Sequence, residues 1–259
     1  MSSKMQKNPV EDALLMVAGT GSRLRPLTDN VPKCLIEVAG TPIIIRLLRQ
    51  LRQSGIKRAH LVTGYLDHVL VEHLSGVPDL PELHFTHNEA YETANNAVSL
   101  LSAMEHMEPC SFLLCDGDIL APNDAWIRDL ITDPRPNVLA VALQLQGKLG
   151  EEEMKVTLEP VDVPWYSRRV VALSKAIQPL FAHGESMGAQ IIDKSMFAPL
   201  LERLRGMTPA ERKVFYYEDV FAQLMTEGHD FYTLAIRPGM CTEIDTVEDL
   251  AHAESLMVS

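Results

Sequence analysis

Cysteine is scarce in this 259-residue sequence and badly spaced for a framework: Cys34, Cys110, Cys115 and Cys241 form no C-x-x-C pair and have no neighbouring His at zinc-ligand spacing. That excludes a disulfide scaffold and a structural zinc site, and it points to reduced thiols in a cytoplasmic setting. Positive charge is also short. With 23 Lys and Arg against 35 Asp and Glu the net charge is -12, which excludes broad binding to nucleic acid phosphates, since that binding needs clustered cations. No run is long and apolar enough to cross a bilayer, so no membrane partner is expected. The polar opening, residues 1–12, has none of the three regions of a secretory signal and is expected to fray as a flexible tail. Aromatic residues make up only 6%, little material for a cage around a quaternary ammonium.

Two familiar phosphate loops are missing as well. Gly19-Thr20-Gly21 follows the first apolar run, yet no Gly-Lys-Ser/Thr closes it as in a Walker A loop, and no third glycine opens a helix as in a dinucleotide loop. No Gly-x-Ser-x-Gly elbow is present for a nucleophilic serine.

What is present is an alternation of apolar β-type runs with helical patterns, the signature of a parallel sheet covered by helices on both faces. Strands are expected at 13–18, 60–63, 83–86 and 112–115, and helices at 42–54, 66–74 and 93–107. In the first helix Ile43, Leu47, Leu48 and Leu51 recur at helical spacing, Pro42 suits the first turn, and Gly55 lies just past the end. The second half reads as mixed sheet. It has a strand at 138–143, a hairpin of 154–158 with 170–173, helices at 194–205 and 218–227, a strand at 231–236 and a last helix at 247–257. No repeat or low-complexity linker interrupts the chain, so residues 13–259 are expected to form one α/β domain.

The chemistry concentrates in Gly19-Thr20-Gly21-Ser22-Arg23-Leu24-Arg25-Pro26-Leu27-Thr28, followed by Pro32-Lys33. Glycine lets backbone N–H groups approach phosphate oxygens, Ser22 and Thr28 can add hydroxyl donors, and Arg23 and Lys33 bring positive charge. Cys115-Asp116-Gly117-Asp118 ends an apolar strand at the edge where open α/β sheets place ligands. A carboxylate there can hold Mg²⁺, although Asp-Gly-Asp is equally good turn chemistry. Glu243-Ile244-Asp245-Thr246 lies between the last strand and the last helix, where Asp245 can be a second ligand or part of a helix cap with Asp249.

Residues 14–42 resemble the signature of the nucleotidyltransferases that make activated sugars and activated alcohols, G-x-G-x-R-L-x-P-L-T…P-K-x-L…G-x-P, at every position, with Met16-Val17-Ala18-Gly19 in place of Leu-Ala-Ala-Gly. The resemblance implies a single-domain Rossmann-like fold with a mixed, mostly parallel sheet. It implies nucleotide binding by residues 18–22 (Ala18, Gly19, Thr20, Gly21 and Ser22), triphosphate held by Arg23 and Lys33, and Mg²⁺ on Asp118 and Asp245 with Asp116 in support. The expected reaction is in-line attack of an acceptor phosphate oxygen on the α-phosphorus with loss of pyrophosphate. An ionised acceptor needs no general base.

Four further segments resemble the branch that uses phosphocholine and similar phospho-alcohols: 91–100, Glu153-Met154-Lys155-Val156, Ser174-Lys175 with Gly184-Glu185-Ser186-Met187-Gly188, and Tyr216-Tyr217-Glu218-Asp219. Gly64, Asn96 and Ser99 are candidates for a pyrimidine edge, with helix capping the alternative for the asparagine. Lys155, Lys175 and Glu185 are candidates for the acceptor, and Tyr217, Glu218 and Asp219, joined by Trp165 and Tyr166, for its cationic group. The leading expectation is CMP transfer from CTP. The alternatives are uridylyl or thymidylyl transfer to a sugar 1-phosphate and a nucleotide-binding regulatory protein without catalysis.

Overall fold

In a computed structural model describing residues 9–143, 149–160 and 168–258, the apolar runs assemble into one nine-stranded sheet. The first half contains β1 (Asp12–Met16), β2 (Glu37–Val38), β3 (Thr41–Pro42), α1 (Ile43–Gln53), β4 (Arg58–Thr63), α2 (Asp67–Leu74), β5 (Glu82–His87) and α3 (Asn96–Met104). Next come β6 (Phe112–Asp116), β7 (Ile119–Leu120), α4 (Ala125–Thr132), β8 (Val138–Leu143), β9 (Lys155–Leu158), β10 (Val170–Ser174) and β11 (Gly184–Ile192). The chain continues through α5 (Lys194–Arg205), α6 (Pro209–Val214), α7 (Tyr217–Thr226), β12 (Tyr232–Ile236), β13 (Thr242–Glu243) and α8 (Val247–Val258).

Strands β5, β4, β1 and β6 lie side by side and parallel. Beyond them β11 runs antiparallel to β6 and to β8, and β12 is parallel to β8. The β9–β10 hairpin joins the first residues of β11. The sheet is thus mixed and mostly parallel, as expected.

Alternation along β1 divides the core. Ala13 and Leu15 face α1, α2 and α4, while Leu14 faces α3, α5 and α7 with Val62, Phe112 and Leu114. Register then places the site, because Met16 at the end of β1 pairs with Asp116 at the end of β6, so the loops after both strands leave the sheet together. A third cluster of Leu24, Val38, Ile43, Leu120, Ile244 and Ala253 packs α8 against the glycine loop. Among the described residues no helix is long and apolar enough to cross a membrane.

The chain departs from the sequence reading at its start and in its middle. Val10 is buried, and Asp12, placed in the tail by sequence, is a strand residue bonded to Arg58 at 2.7 Å and His60 at 3.0 Å. Strand β11 was not expected, since Gly184, Glu185, Ser186, Gly188 and Gln190 dilute its apolar pattern. It is nonetheless central in the sheet, and its register shifts between Ser186 and Gln190. Helices α4 and α6 were also not expected: α4 buries only Trp126, Ile127 and Leu130, and α6 buries none of its residues.

Candidate active site

The loop after β1 folds around its own backbone. Gly21 is left-handed, at φ 59°, and a Cβ there would lie 2.9 Å from Lys33 Cβ and 3.0 Å from Thr28 Cγ2, so only glycine fits. The Thr28 hydroxyl donates to the Gly21 carbonyl at 2.8 Å and is buried. It braces the loop and is not the phosphate donor suggested by sequence. A Cβ on Gly19, by contrast, would enter open space. That space is a cavity of about 240 Å³ walled by residues 19–23 together with Lys33, Gly117, Asp118 and Asp245.

Leu24 and Ile244 bring the charges together. Both are fully buried in one cluster, which turns their neighbours Arg23 and Asp245 outward to the same cavity. Arg23 Nη2 lies 2.8 Å from Asp245 Oδ1, and Lys33 Nζ lies 2.6 Å from both Asp245 Oδ1 and Asp118 Oδ2. Burial alone would push the Lys33 pKa down, but the two carboxylates outweigh it and raise the value above that of an ordinary lysine. Asp245 is likewise pushed up by burial and brought lower overall by Lys33 and Arg23. The carboxylate that caps the start of α8 is Asp249, which accepts from Asp245 N at 3.1 Å and from Thr246 N and Oγ1 at 2.8 Å each. The cap and the site carboxylate are therefore different residues.

The donor set fits Mg²⁺. Asp118 Oδ1 is buried without a hydrogen-bond partner beside the Lys33-bound Oδ2. Among the described residues no group of three or more His, Cys, Asp or Glu side chains is arranged to hold a metal. Mg²⁺ does not require one, because it retains waters and phosphate oxygens and takes only one or two carboxylates.

A second cavity of about 520 Å³ meets the first at Arg23, Asp118 and Asp245. Its wall carries nine carboxylates against the two cations Arg23 and Lys175. Burial, then the neighbouring acids, push Asp116 and Glu243 well above the usual carboxylate range. Glu185 rises to about 7 for the same reasons, and burial takes Glu218 to about 7. At Gly188, left-handed at φ 57°, any Cβ would fall on the Asp116 carboxylate, so this glycine lets β11 pass the site closely.

Several candidate residues are placed elsewhere. Ala18 is buried, and its carbonyl accepts from Tyr65 N at 3.1 Å. Gly64 packs on Tyr91 and the Ala18 carbonyl, where a Cβ would come within 2.7 Å of each. The Ser99 hydroxyl is buried and accepts from Asn88 at 2.9 Å, and neither Gly64 nor Ser99 lines either cavity. Asn96 lines the acidic cavity rather than the glycine-loop one, and its Oδ1 accepts from Tyr217 N at 2.9 Å.

On the acceptor side, Lys155 is 1% exposed and its ammonium donates to the carbonyls of Glu151, Glu153 and Lys175, so it is a strut and not a phosphate ligand. Tyr217 is a core ring whose hydroxyl donates to Asp116 at 3.0 Å. Asp219 accepts from Tyr216 N at 2.9 Å as a helix cap and does not line the cavity. Lys175, Glu185 and Glu218 do line it, while Trp165 and Tyr166 lie outside the described residues. Glu243, Glu153, Ser186 and Tyr216, which the sequence motifs contain but which received no role there, line the same wall. Two-residue spacing on an extended segment was a usable signal for Glu243, since it shares a face with Asp245 when Ile244 points inward.

A family model for the MobA-like NTP transferase domain matches residues 13–205. The chain is 32% identical over 127 residues to the 2-aminoethylphosphonate cytidylyltransferase of Lancefieldella rimae, covering 49% of this chain and 48% of that one. It is 34% identical over 110 residues to the UTP–glucose-1-phosphate uridylyltransferase of Haloferax volcanii, covering 41% and 42%. These matches span about half the length of the curated relatives, or less. The fold is shared with the inositol-1-phosphate CTP transferase from T. maritima at a TM-score of 0.78 and 22% identity, over 98% of this chain and 97% of that one.

Proposed function

The chain belongs to the MobA-like NTP transferase domain family, and on that premise we propose that it transfers a cytidylyl group from CTP to a small phosphate or phosphonate acceptor, releasing pyrophosphate. The observation that carries this reading is the junction: a glycine-loop cavity and an acidic cavity share Arg23, Asp118 and Asp245. A triphosphate in the first cavity presents its α-phosphorus to an acceptor in the second.

The acceptor oxygen forms the new bond to the α-phosphorus, the bond to the β-phosphate bridging oxygen breaks, and its electron pair leaves with pyrophosphate. Arg23 and Lys33 meet the charge that builds on the leaving group, and the backbone of residues 19–22 orients the phosphates. Asp118 and Asp245 would hold Mg²⁺, which when bound offsets phosphate charge. Lys33 bridges the two carboxylates and supplies counter-charge to them. No side chain has to remove a proton from an acceptor already ionised at neutral pH.

Cytidine as the base is supported by the cytidylyltransferase relative. The acidity of the second cavity supports an acceptor with a cationic end, and it disfavours the neutral hexose that the uridylyltransferase relative would suggest. The test is pyrophosphate release with CTP, UTP, dTTP, ATP and GTP, each with 2-aminoethylphosphonate, phosphoethanolamine, phosphocholine and glucose 1-phosphate. Turnover is expected with CTP and the cationic acceptors. Faster turnover of UTP with glucose 1-phosphate would replace this reading by sugar activation.

A further inference from the structure

Three polar atoms on the wall of the acidic cavity are buried and lack a partner: Glu218 Oε2, Ser186 Oγ and Glu153 Oε2. Glu218 is 5% exposed and Ser186 4%, and both residues line the cavity. Buried polar groups are almost always hydrogen-bonded, and leaving one unmade is costly. Three on one wall are what a donor-bearing occupant would complete. Ionised carboxylates only accept, so an occupant that keeps them ionised must bring donors as well as positive charge.

A quaternary ammonium does not meet that need. It has no N–H, and it is bound through aromatic faces. Among the described residues the aromatic side chain on this wall is Tyr216, and Lys175 Nζ already sits 4.4 Å from its ring centroid. A second cation over that ring would meet the lysine's charge. A neutral polyol can donate hydrogen bonds but leaves the carboxylates uncompensated.

We propose that the acidic cavity selects acceptors ending in a primary ammonium, aminoalkyl phosphates or phosphonates, whose N–H groups are taken by Glu218, Glu153 and Ser186. The proposal rests on the cytidylyl transfer described above and adds which end group is read and by which residues. Discrimination arises because a site built to bond N–H groups is left unpaired by an analogue without them.

The experiment measures kcat/KM for pyrophosphate release from CTP with phosphoethanolamine and its N-methyl, N,N-dimethyl and N,N,N-trimethyl derivatives. A fall at each step is expected, about a hundred-fold or more from first to last. A flat or rising series would overturn the primary-ammonium assignment and leave the transfer standing. Absence of pyrophosphate with every acceptor and nucleotide would overturn the transfer itself and this inference with it. Glu218→Gln and Ser186→Ala are expected to raise the KM for phosphoethanolamine about tenfold, leave that for CTP unchanged, and flatten the methylation series. Folded variants with undiminished discrimination would sink the residue assignment, and the wild-type series decides the end-group question whether or not the variants fold.

Discussion

The two cavities that meet at Arg23, Asp118 and Asp245 are made of different material. The glycine-loop side is chiefly backbone, a tight turn in which Gly21 has no room for a Cβ and Gly19 opens onto free space. The acidic side is chiefly side chains, a wall of carboxylates gathered from β6, β11, β13, α7, α8 and the segment before β9. A backbone site binds what all nucleotides share, their phosphates. A side-chain wall can be retuned one residue at a time, and selectivity for the acceptor should sit there.

The largest expected effect belongs to the junction, where both sides fail together. Asp118→Asn keeps the shape and removes the charge, and kcat for pyrophosphate release should fall by about a thousand-fold with the circular dichroism spectrum retained. Activity within tenfold of wild type would place the reaction centre elsewhere. Lys33→Met comes next, because it separates charge on the leaving group from charge within the free protein. Activity should drop about a hundred-fold. Without divalent cation the variant should lose about 3 kcal/mol in urea unfolding, since Asp118 and Asp245 are left facing each other. Mg²⁺ should return part of that loss. The raised Lys33 pKa gives a second signature: its stabilisation is complete below the unfolded value of 10.5 and is lost as pH rises through the folded value. The variant should lack that alkaline loss.

Legibility in the sequence follows the same division. The donor loop was readable because its chemistry demands particular residue types at fixed spacing. Gly21 is left-handed, and Lys33 contacts both Asp118 and Asp245, so residues that the sequence singled out far apart are brought together. Helix α5 was readable to its bounds, since Asp193 caps its start through Ser195 N and Gly206 follows its end. The acceptor side was not, because a side chain's direction is set by tertiary packing. Lys155 looks like a phosphate ligand in one dimension and turns out to be buried on three carbonyls. Ser99 looks like a base contact and is committed to Asn88. Strand β11 was hidden by its own composition, as the polar residues and glycines that line the cavity erase the apolar pattern of a central strand.

A smaller effect tests how the acidic wall is held in the free protein. Burial, then Glu153, put the Glu185 pKa at about 7, above its unfolded value of 4.5. A carboxyl raised on folding makes the protein lose stability as pH climbs from 4.5 to about 7, because the unfolded chain ionises first. Glu185→Gln should remove that decline, raising the melting temperature by roughly 3 °C at pH 8 while matching wild type below pH 4.5. Equal melting temperatures at pH 8 would mean that the wall is already balanced by a cation of the protein itself.

The smallest expected effect lies one residue from Glu218. Sequence offered Glu218 and Asp219 as equals, two acids at a helix start. The helix turns Glu218 into the cavity with Oε2 unpaired, and it turns Asp219 back onto Tyr216 N as a cap. Asp219→Asn keeps an oxygen for that amide, so stability should change by less than about 0.5 kcal/mol and the acceptor KM by less than about twofold. Glu218→Gln, with the same loss of charge, should move the acceptor KM about tenfold. The pair holds helix, chemistry and sequence position nearly constant and varies only which way the carboxylate points. Equal KM shifts in the two variants would show that general acidity of the region attracts the acceptor, and that the unpaired oxygen of Glu218 does not.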